Sequence, residues 1–274
     1  MLNQTLLRTL IAVLFLSGCA MPEQVDVTKD WSANKFYSEA QDAMKDGDYE
    51  QAIKYYEKLE ARYPFGRYAT QSQLDVIYAH YKDGDADSAI AAADRFIKLH
   101  PQNPFVDYAY YLKGLANYHR DRSLTSRILP TDPSQRDAGA TLNSFNDFAE
   151  LVRRYPDSKY AADARQRMIY LRNNLARYQL HVAHYYMKRG AYLAAANRAN
   201  RVVSNFQRTD SVAEALEIMI EAYNKLGMTE PANDAQRVLT LNRSNGRLIL
   251  TGKPAEKKKG LFRRMWDSFN LDKN

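Results

Sequence analysis

The sequence is short of the residues that stabilise small folds by chemistry rather than by packing. Cys19 is the one cysteine in 274 residues, which excludes an internal disulfide and a zinc site built on thiolates. Eleven glycines and nine prolines are too few for the turns of a loop-rich all-β fold. No apolar run reaches the roughly 20 residues that cross a bilayer as a helix. Catalytic signatures are missing too: there is no HExxH, no G-x-S-x-G and no G-x-x-x-x-G-K phosphate loop, and no enzyme activity or cofactor is expected. His181 and His184 stand three apart, but no third metal ligand accompanies them, so they read as ordinary polar residues. What is there is 45% hydrophobic and 26% charged, an ordinary globular composition, with length enough for a real core. It also has a formal net charge of +7 and 20 tyrosines.

The N-terminus carries an export signal. Arg8 supplies a positive start, and Leu10 to Leu16 is a short apolar stretch, ended by Ser17-Gly18-Cys19. That pattern is a signal peptide rather than a membrane span. Leu16-Ser17-Gly18-Cys19 resembles a bacterial lipobox, in which the cysteine sulfur takes diacylglycerol, the chain is cut before it, and the new amino group is acylated. Three acyl chains exceed the two signals that stable anchoring needs. Ala20 follows, not aspartate, which favours the outer membrane. Residues 1–18 are therefore read as the signal peptide and 19–33 as a lipidated tether. Nucleic acid is not an expected partner of an exported chain.

A 37-residue step organises the rest. Gly47 and Gly84, Ala52 and Ala89, Pro64 and Pro101, Gly190 and Gly227, and Ala195 and Ala232 are each separated by it. Within a step, Phe36, Ala40 and Ala43 share one helical stripe, and Ala52, Tyr56 and Leu59 share another. A glycine corner lies between them and a proline stop follows. The expectation is an all-α solenoid of five helix pairs resembling tetratricopeptide repeats, with turns a few residues longer than that repeat's usual 34-residue period. Repeats 1–3 fill residues 34–156, with an exposed insertion at 122–137. Repeats 4–5 fill 158–245. Residues 158–189 contain no glycine or proline and are predicted to form one long central helix, with a break near Asn173-Asn174 as the alternative. The tyrosines, all between Tyr37 and Tyr223, suit inter-helix packing with a wet hydroxyl, and on a concave face they would contact an extended peptide.

Residues 246–274 form a basic tail. Lys257, Lys258 and Lys259 precede Leu261, Phe262, Met265, Trp266 and Phe269, which fall on one helical face. The segment suits an anionic lipid surface or a partner's groove, or stays a plain solvated tail. Seven basic and three acidic residues lie between 252 and 274, so residues 19–251 carry only about +2.

Several longer strings go beyond a generic repeat: Arg62-Tyr63-Pro64-Phe65-Gly66, Gln73 to Ala79, Asp94-Arg95-Phe96-Ile97, Asp147-Phe148 with Leu151-Val152-Arg153, and Arg189-Gly190-Ala191 with Asn197-Arg198. On these the chain, from Cys19 to about Asn245, resembles the BamD (ComL) family, the tetratricopeptide lipoproteins of the β-barrel assembly machinery. The resemblance implies a non-enzymatic scaffold, lipid-anchored at Cys19 on the periplasmic face of the outer membrane. Its implied partners are BamA, other lipoproteins of the machinery, and unfolded outer-membrane β-barrel proteins. It implies that the C-terminal repeats dock on a POTRA domain of BamA, with Arg198 pairing to an acidic residue there. It also implies that the N-terminal repeats recognise the C-terminal signal of clients, through Tyr63, Phe65 and Gly66; Tyr68, beside them, is our addition. A periplasmic repeat lipoprotein serving as adaptor for a cell-wall synthesis enzyme is the competing reading. A lytic cell-wall enzyme would need a catalytic domain for which no segment is left over.

Overall fold

A computed structural model describes residues 26–120, 132, 134 and 138–246. The signal peptide, Cys19, most of the 122–137 insertion and the tail beyond Gly246 lie outside the described residues. Ten helices and no strand occur among the described residues. They are α1 Ala33–Asp46, α2 Tyr49–Arg62, α3 Arg67–Asp83, α4 Ala86–Leu99, α5 Val106–His119, α6 Ala138–Arg154, α7 Ala161–Lys188, α8 Tyr192–Asn205, α9 Ser211–Lys225 and α10 Thr229–Ser244. Consecutive helices pack on one another throughout. The first helix of a pair also meets the first helix of the next pair: α1 on α3, α3 on α5 and α7 on α9. This is the expected solenoid of five pairs.

The corner between paired helices shows why the step repeats. Gly47 adopts φ +80°, and its neighbourhood closes α1 through bonds to the carbonyls of Ala43 and Met44. Only glycine enters that left-handed region without strain. Asp48 then caps α2 by accepting from the Gln51 N–H at 3.1 Å. One step later Gly84 has φ +89° and Asp85 accepts from the Ser88 N–H at 3.0 Å. The later corners keep Gly190 and Gly227 but carry Ala191 and Met228 at the cap position, and α8 and α10 have no side-chain cap.

The helices bury aliphatic and aromatic stripes around small residues. Ala40, Ala52, Ala79, Ala89, Ala93, Ala183, Ala195 and Ala222 are fully buried, which lets helix backbones approach closely. In the third pair the same role falls to Gly114, whose position a methyl group would place 2.6 Å from the Phe148 ring. Nearby, the Ser144 hydroxyl donates to the Gly114 carbonyl at 3.0 Å.

The long helix is continuous. α7 runs for 28 residues, about 42 Å at ~1.5 Å per residue. It starts at Ala161 rather than Ser158, because Ser158 to Tyr160 form a turn in which the Ala161 N–H bonds the Ser158 carbonyl at 2.9 Å. Asn174 does not break it: its side chain is buried and accepts from Arg177 at 2.7 Å. Leu171 belongs to the core built with Leu74, Ile77, Phe96, Leu112 and Phe148. Ala176, Leu180 and Ala183 belong to the core built with Val202, Leu216 and Leu239. One helix thus serves two cores.

Two residues of the insertion are described. Ser134 is buried rather than exposed, with its hydroxyl 2.8 Å from His181 Nε2 on α7. A Gly114→Ala substitution is expected to lower stability by about 1–3 kcal/mol through overpacking against Phe148. Pairing it with Phe148→Leu recovers part of that loss. Urea denaturation of the two variants measures both effects.

Candidate functional site

The Tyr63–Tyr68 segment is the junction between the first two repeats. α2 ends at Arg62, the Tyr63 N–H bonds the Leu59 carbonyl at 2.8 Å, and Pro64 prevents continuation. Gly66 sits at φ +102° and opens α3, a backbone shape that a side chain would strain. α3 begins with no side-chain cap and no acidic residue in its first turn. Its leading N–H groups therefore face outward with the positive end of the helix dipole.

The four predicted residues come together here but behave differently. Phe65 projects into solvent with 91% of its surface exposed. Tyr63 turns inward, and its hydroxyl donates to the Trp31 carbonyl at 2.8 Å. Tyr68 is half-buried: its hydroxyl donates to Asn34 Oδ1 at 3.0 Å, and its ring lies 5.4 Å from that of Tyr37. The Arg67 guanidinium covers the Tyr68 ring at 4.8 Å and donates to its hydroxyl at 3.0 Å. Together they make an exposed phenylalanine beside a cation, an open helix N-terminus and a braced tyrosine. At this turn Phe65 points outward while Tyr63 points inward.

A polar network that sequence reasoning missed lies beneath. Asp75 accepts from the Tyr37 hydroxyl at 2.9 Å, from Gln41 Nε2 at 2.9 Å and from Gln71 Nε2 at 2.8 Å. Gln41 also donates to the Tyr56 hydroxyl at 2.8 Å. Burial pushes the Asp75 carboxyl above its usual range, against the lowering effect of its three donors. Burial first, and then Asp75, also raises the Tyr37 phenol. The network fixes Tyr37, and Tyr37 fixes Tyr68. The available clue was spacing: Tyr37 and Asp75 stand 38 residues apart, one repeat step plus one, which puts them on adjacent first helices.

The segment before α1 is strapped onto the same repeat. Trp31 packs against Phe36 and Tyr55, with ring centroids 5.2 and 5.3 Å away. Arg62 donates to the carbonyls of Thr28 and Lys29, and Lys58 pairs with Asp26 at 3.1 Å. Hydrogen bonds from Thr28 and Lys58 hold the Asp26 carboxyl below the usual range. The described chain therefore begins seven residues after Cys19, tied down beside Tyr63.

Arg198 lies elsewhere, on α8. It is half-buried and donates to Gln179 of α7 at 3.2 Å, and no carboxylate among the described residues pairs with it. His181 and His184 do not act as a pair. His181 meets Ser134, and His184 meets Glu214 at 2.6 Å. Among the described residues no helix is long and apolar enough to cross a membrane, and no group of three or more His, Cys, Asp or Glu is placed to hold a metal.

Known proteins resemble this chain over most of its length. A family described as "Outer membrane lipoprotein" (YfiO) matches residues 29–239. The outer membrane protein assembly factor BamD of Neisseria meningitidis serogroup A is 48% identical over 241 residues, covering 86% of this chain and 90% of that protein. The factor of the same name from Vibrio cholerae is 38% identical over 233 residues, covering 85% and 96%. A crystal structure of a tetratricopeptide repeat protein from Parabacteroides merdae overlaps 76% of this chain and 79% of its own, at 14% identity and a TM-score of 0.35.

The buried Asp75 gives a pH test. Its folded-state carboxyl keeps a proton to higher pH than in the unfolded chain, so its contribution favours folding below the usual value of 3.8 and is lost as pH rises through the raised value. Relative to the wild type, the melting temperature of Asp75→Asn is expected to rise as pH goes from about 4 to about 7. Thermal denaturation across that range checks the sign.

Proposed function

The chain belongs to the outer-membrane lipoprotein family whose model spans residues 29–239, and from that premise we propose that it is a non-enzymatic scaffold of the β-barrel assembly machinery. In this reading it is anchored through acylated Cys19 to the periplasmic face of the outer membrane. Its N-terminal repeats receive the C-terminal signal of unfolded β-barrel proteins. Its C-terminal repeats hold BamA through a POTRA domain, among other lipoproteins of the machinery.

The observation that carries the client role is the junction at Phe65. An unfolded barrel protein ends in an extended strand, an aromatic side chain and a carboxylate. Phe65, 91% exposed, offers an aromatic face. The uncapped start of α3, with Arg67 beside it, offers N–H groups and a cation to the carboxylate. Tyr68, braced by Tyr37 and Asn34, supplies a fixed wall. The strap from Asp26 to Trp31 supports the anchoring role. Six residues separate it from Cys19, at most about 25 Å of extended chain, so the signal site stays close to the membrane that clients enter.

Arg198 supports the docking role because no carboxylate among the described residues pairs with it. A partner's acidic residue completes it, and such a pair acts on encounter rate as well as on affinity.

Phe65→Ala is expected to reduce photo-crosslinking to a labelled peptide with a C-terminal aromatic residue about fivefold, roughly 1 kcal/mol of lost contact, with unchanged helicity by circular dichroism. Crosslinks confined to repeats 4 and 5 would make the assignment wrong. Tyr63 is the poorer test position, since it also holds the Trp31 strap. Arg198→Glu is expected to deplete BamA from material co-purified after mild solubilisation. Recovery of a peptidoglycan synthase in place of BamA would favour the adaptor reading.

A further inference from the structure

The charge of the repeats is concentrated in one of them. Residues 161–208 hold nine basic side chains, eight arginines and one lysine, against the single carboxylate of Asp163. Residues 26–101, by contrast, hold ten basic and fourteen acidic residues. Asp163 is taken by Arg167 and by the Tyr111 hydroxyl. The other basic side chains of repeat 4 have no carboxylate partner among the described residues.

Six residues of this repeat fall into one row. α7 and α8 run antiparallel, and two contacts fix their register: Arg172 Nη2 donates to the Asn205 carbonyl at 3.4 Å, and Arg198 Nη1 donates to Gln179 Oε1 at 3.2 Å. Each contact lies seven residues from the other on both helices, so they line the same groove about 10 Å apart. Arg165 sits two turns before Arg172 on the same α7 face and donates to the Pro156 carbonyl at 3.0 Å. Ile169, between them, is 64% exposed. Arg201 precedes Asn205 by one turn, and Arg208 follows it by three residues; both are exposed.

We propose that this arginine row, with Ile169 as its apolar centre, is the docking surface for an acidic face of a folded protein partner. Three features select that occupant. The uncompensated positive charge calls for an anionic counterpart. The cations are guanidinium groups, whose planar forks match carboxylates two bonds at a time. Arg165, Arg172 and Arg198 are each held by a carbonyl or amide oxygen, which presets their positions for carboxylates fixed on a folded surface. An exposed isoleucine among arginines also has the make-up of an interface centre within a polar rim. The proposal rests on the reading that the C-terminal repeats hold the barrel-forming subunit. It extends that contact from one arginine to a row.

The test uses the full lipidated chain in its complex, co-purified after mild solubilisation. Arg172→Glu/Arg201→Glu, with Arg198 intact, is expected to lower recovery of the barrel-forming subunit at least about tenfold, in line with charge pairs across an interface. Ile169→Asp is expected to do the same, and both variants keep wild-type melting curves. Association of the wild type weakens steeply between 50 and 300 mM NaCl, and the double variant shows a shallower salt slope. If Arg198→Glu abolishes recovery while the double variant and Ile169→Asp leave it unchanged, the row is overturned and the docking reading stands. If none of the three changes recovery, both fall. Flotation of the Cys19→Ala mature chain with phosphatidylglycerol vesicles separates the lipid alternative. Flotation lost in the double variant assigns the row to lipid headgroups and overturns a protein partner.

Discussion

The close approach of paired helices across small side chains is the constraint on which the rest of the structure depends. A two-helix unit of 37 residues cannot bury its apolar stripe alone. Fully buried alanines such as Ala40, Ala52, Ala183 and Ala195 let backbones come close enough for Phe36, Tyr56, Phe96 and Val202 to fill the space between pairs. Gly114 is the limiting case, a position where the Phe148 ring leaves no room for a methyl group. Because each pair completes its neighbour, features placed on different repeats share one rigid frame.

That frame explains why α7 matters. Its first half closes the core of the earlier repeats at Leu171, and its second half opens the core of the later ones at Leu180. A helix without glycine or proline carries the connection, and the buried Asn174 satisfies itself on Arg177 within that helix. The junction at Phe65 and the arginines at Arg172 and Arg198 are thus joined through packed helices, not through a linker.

Much of this was legible in the sequence because it repeats. The glycine corners, the prolines and the alanine stripes recur at a fixed step, and each has one local cause: a left-handed turn, a missing N–H or a close contact. The geometry of the proposed site was legible only in part. The turn at Pro64 and Gly66 could be placed from sequence, but the inward turn of Tyr63 could not, because it depends on the Trp31 carbonyl 32 residues earlier. The Asp75 network escaped for a similar reason. Tyr37, Gln41, Gln71 and Asp75 are ordinary surface residue types, and only the stacking of α1 on α3 makes them a buried cluster.

The distribution of charge required segment-by-segment reading. A net of about +2 over residues 19–251 suggested a nearly neutral solenoid with its charge in the tail, yet it conceals a strongly basic fourth repeat offset by acidic ones. Charges of the first repeat occur in pairs along a helix, as in Lys35–Glu39 and Lys54–Glu50, and such exposed pairs leave little net charge while contributing little to stability. Repeat 4 keeps one such pair, Arg167–Asp163, and leaves its other basic side chains without one among the described residues. α8 contains no acidic residue at all, so Arg198 and Arg201 have nothing on their own helix to pair with. Like charges left close together cost the isolated chain some stability. That cost is offset only when a complementary surface arrives, so the missing carboxylates, more than any single arginine, mark where the partner belongs.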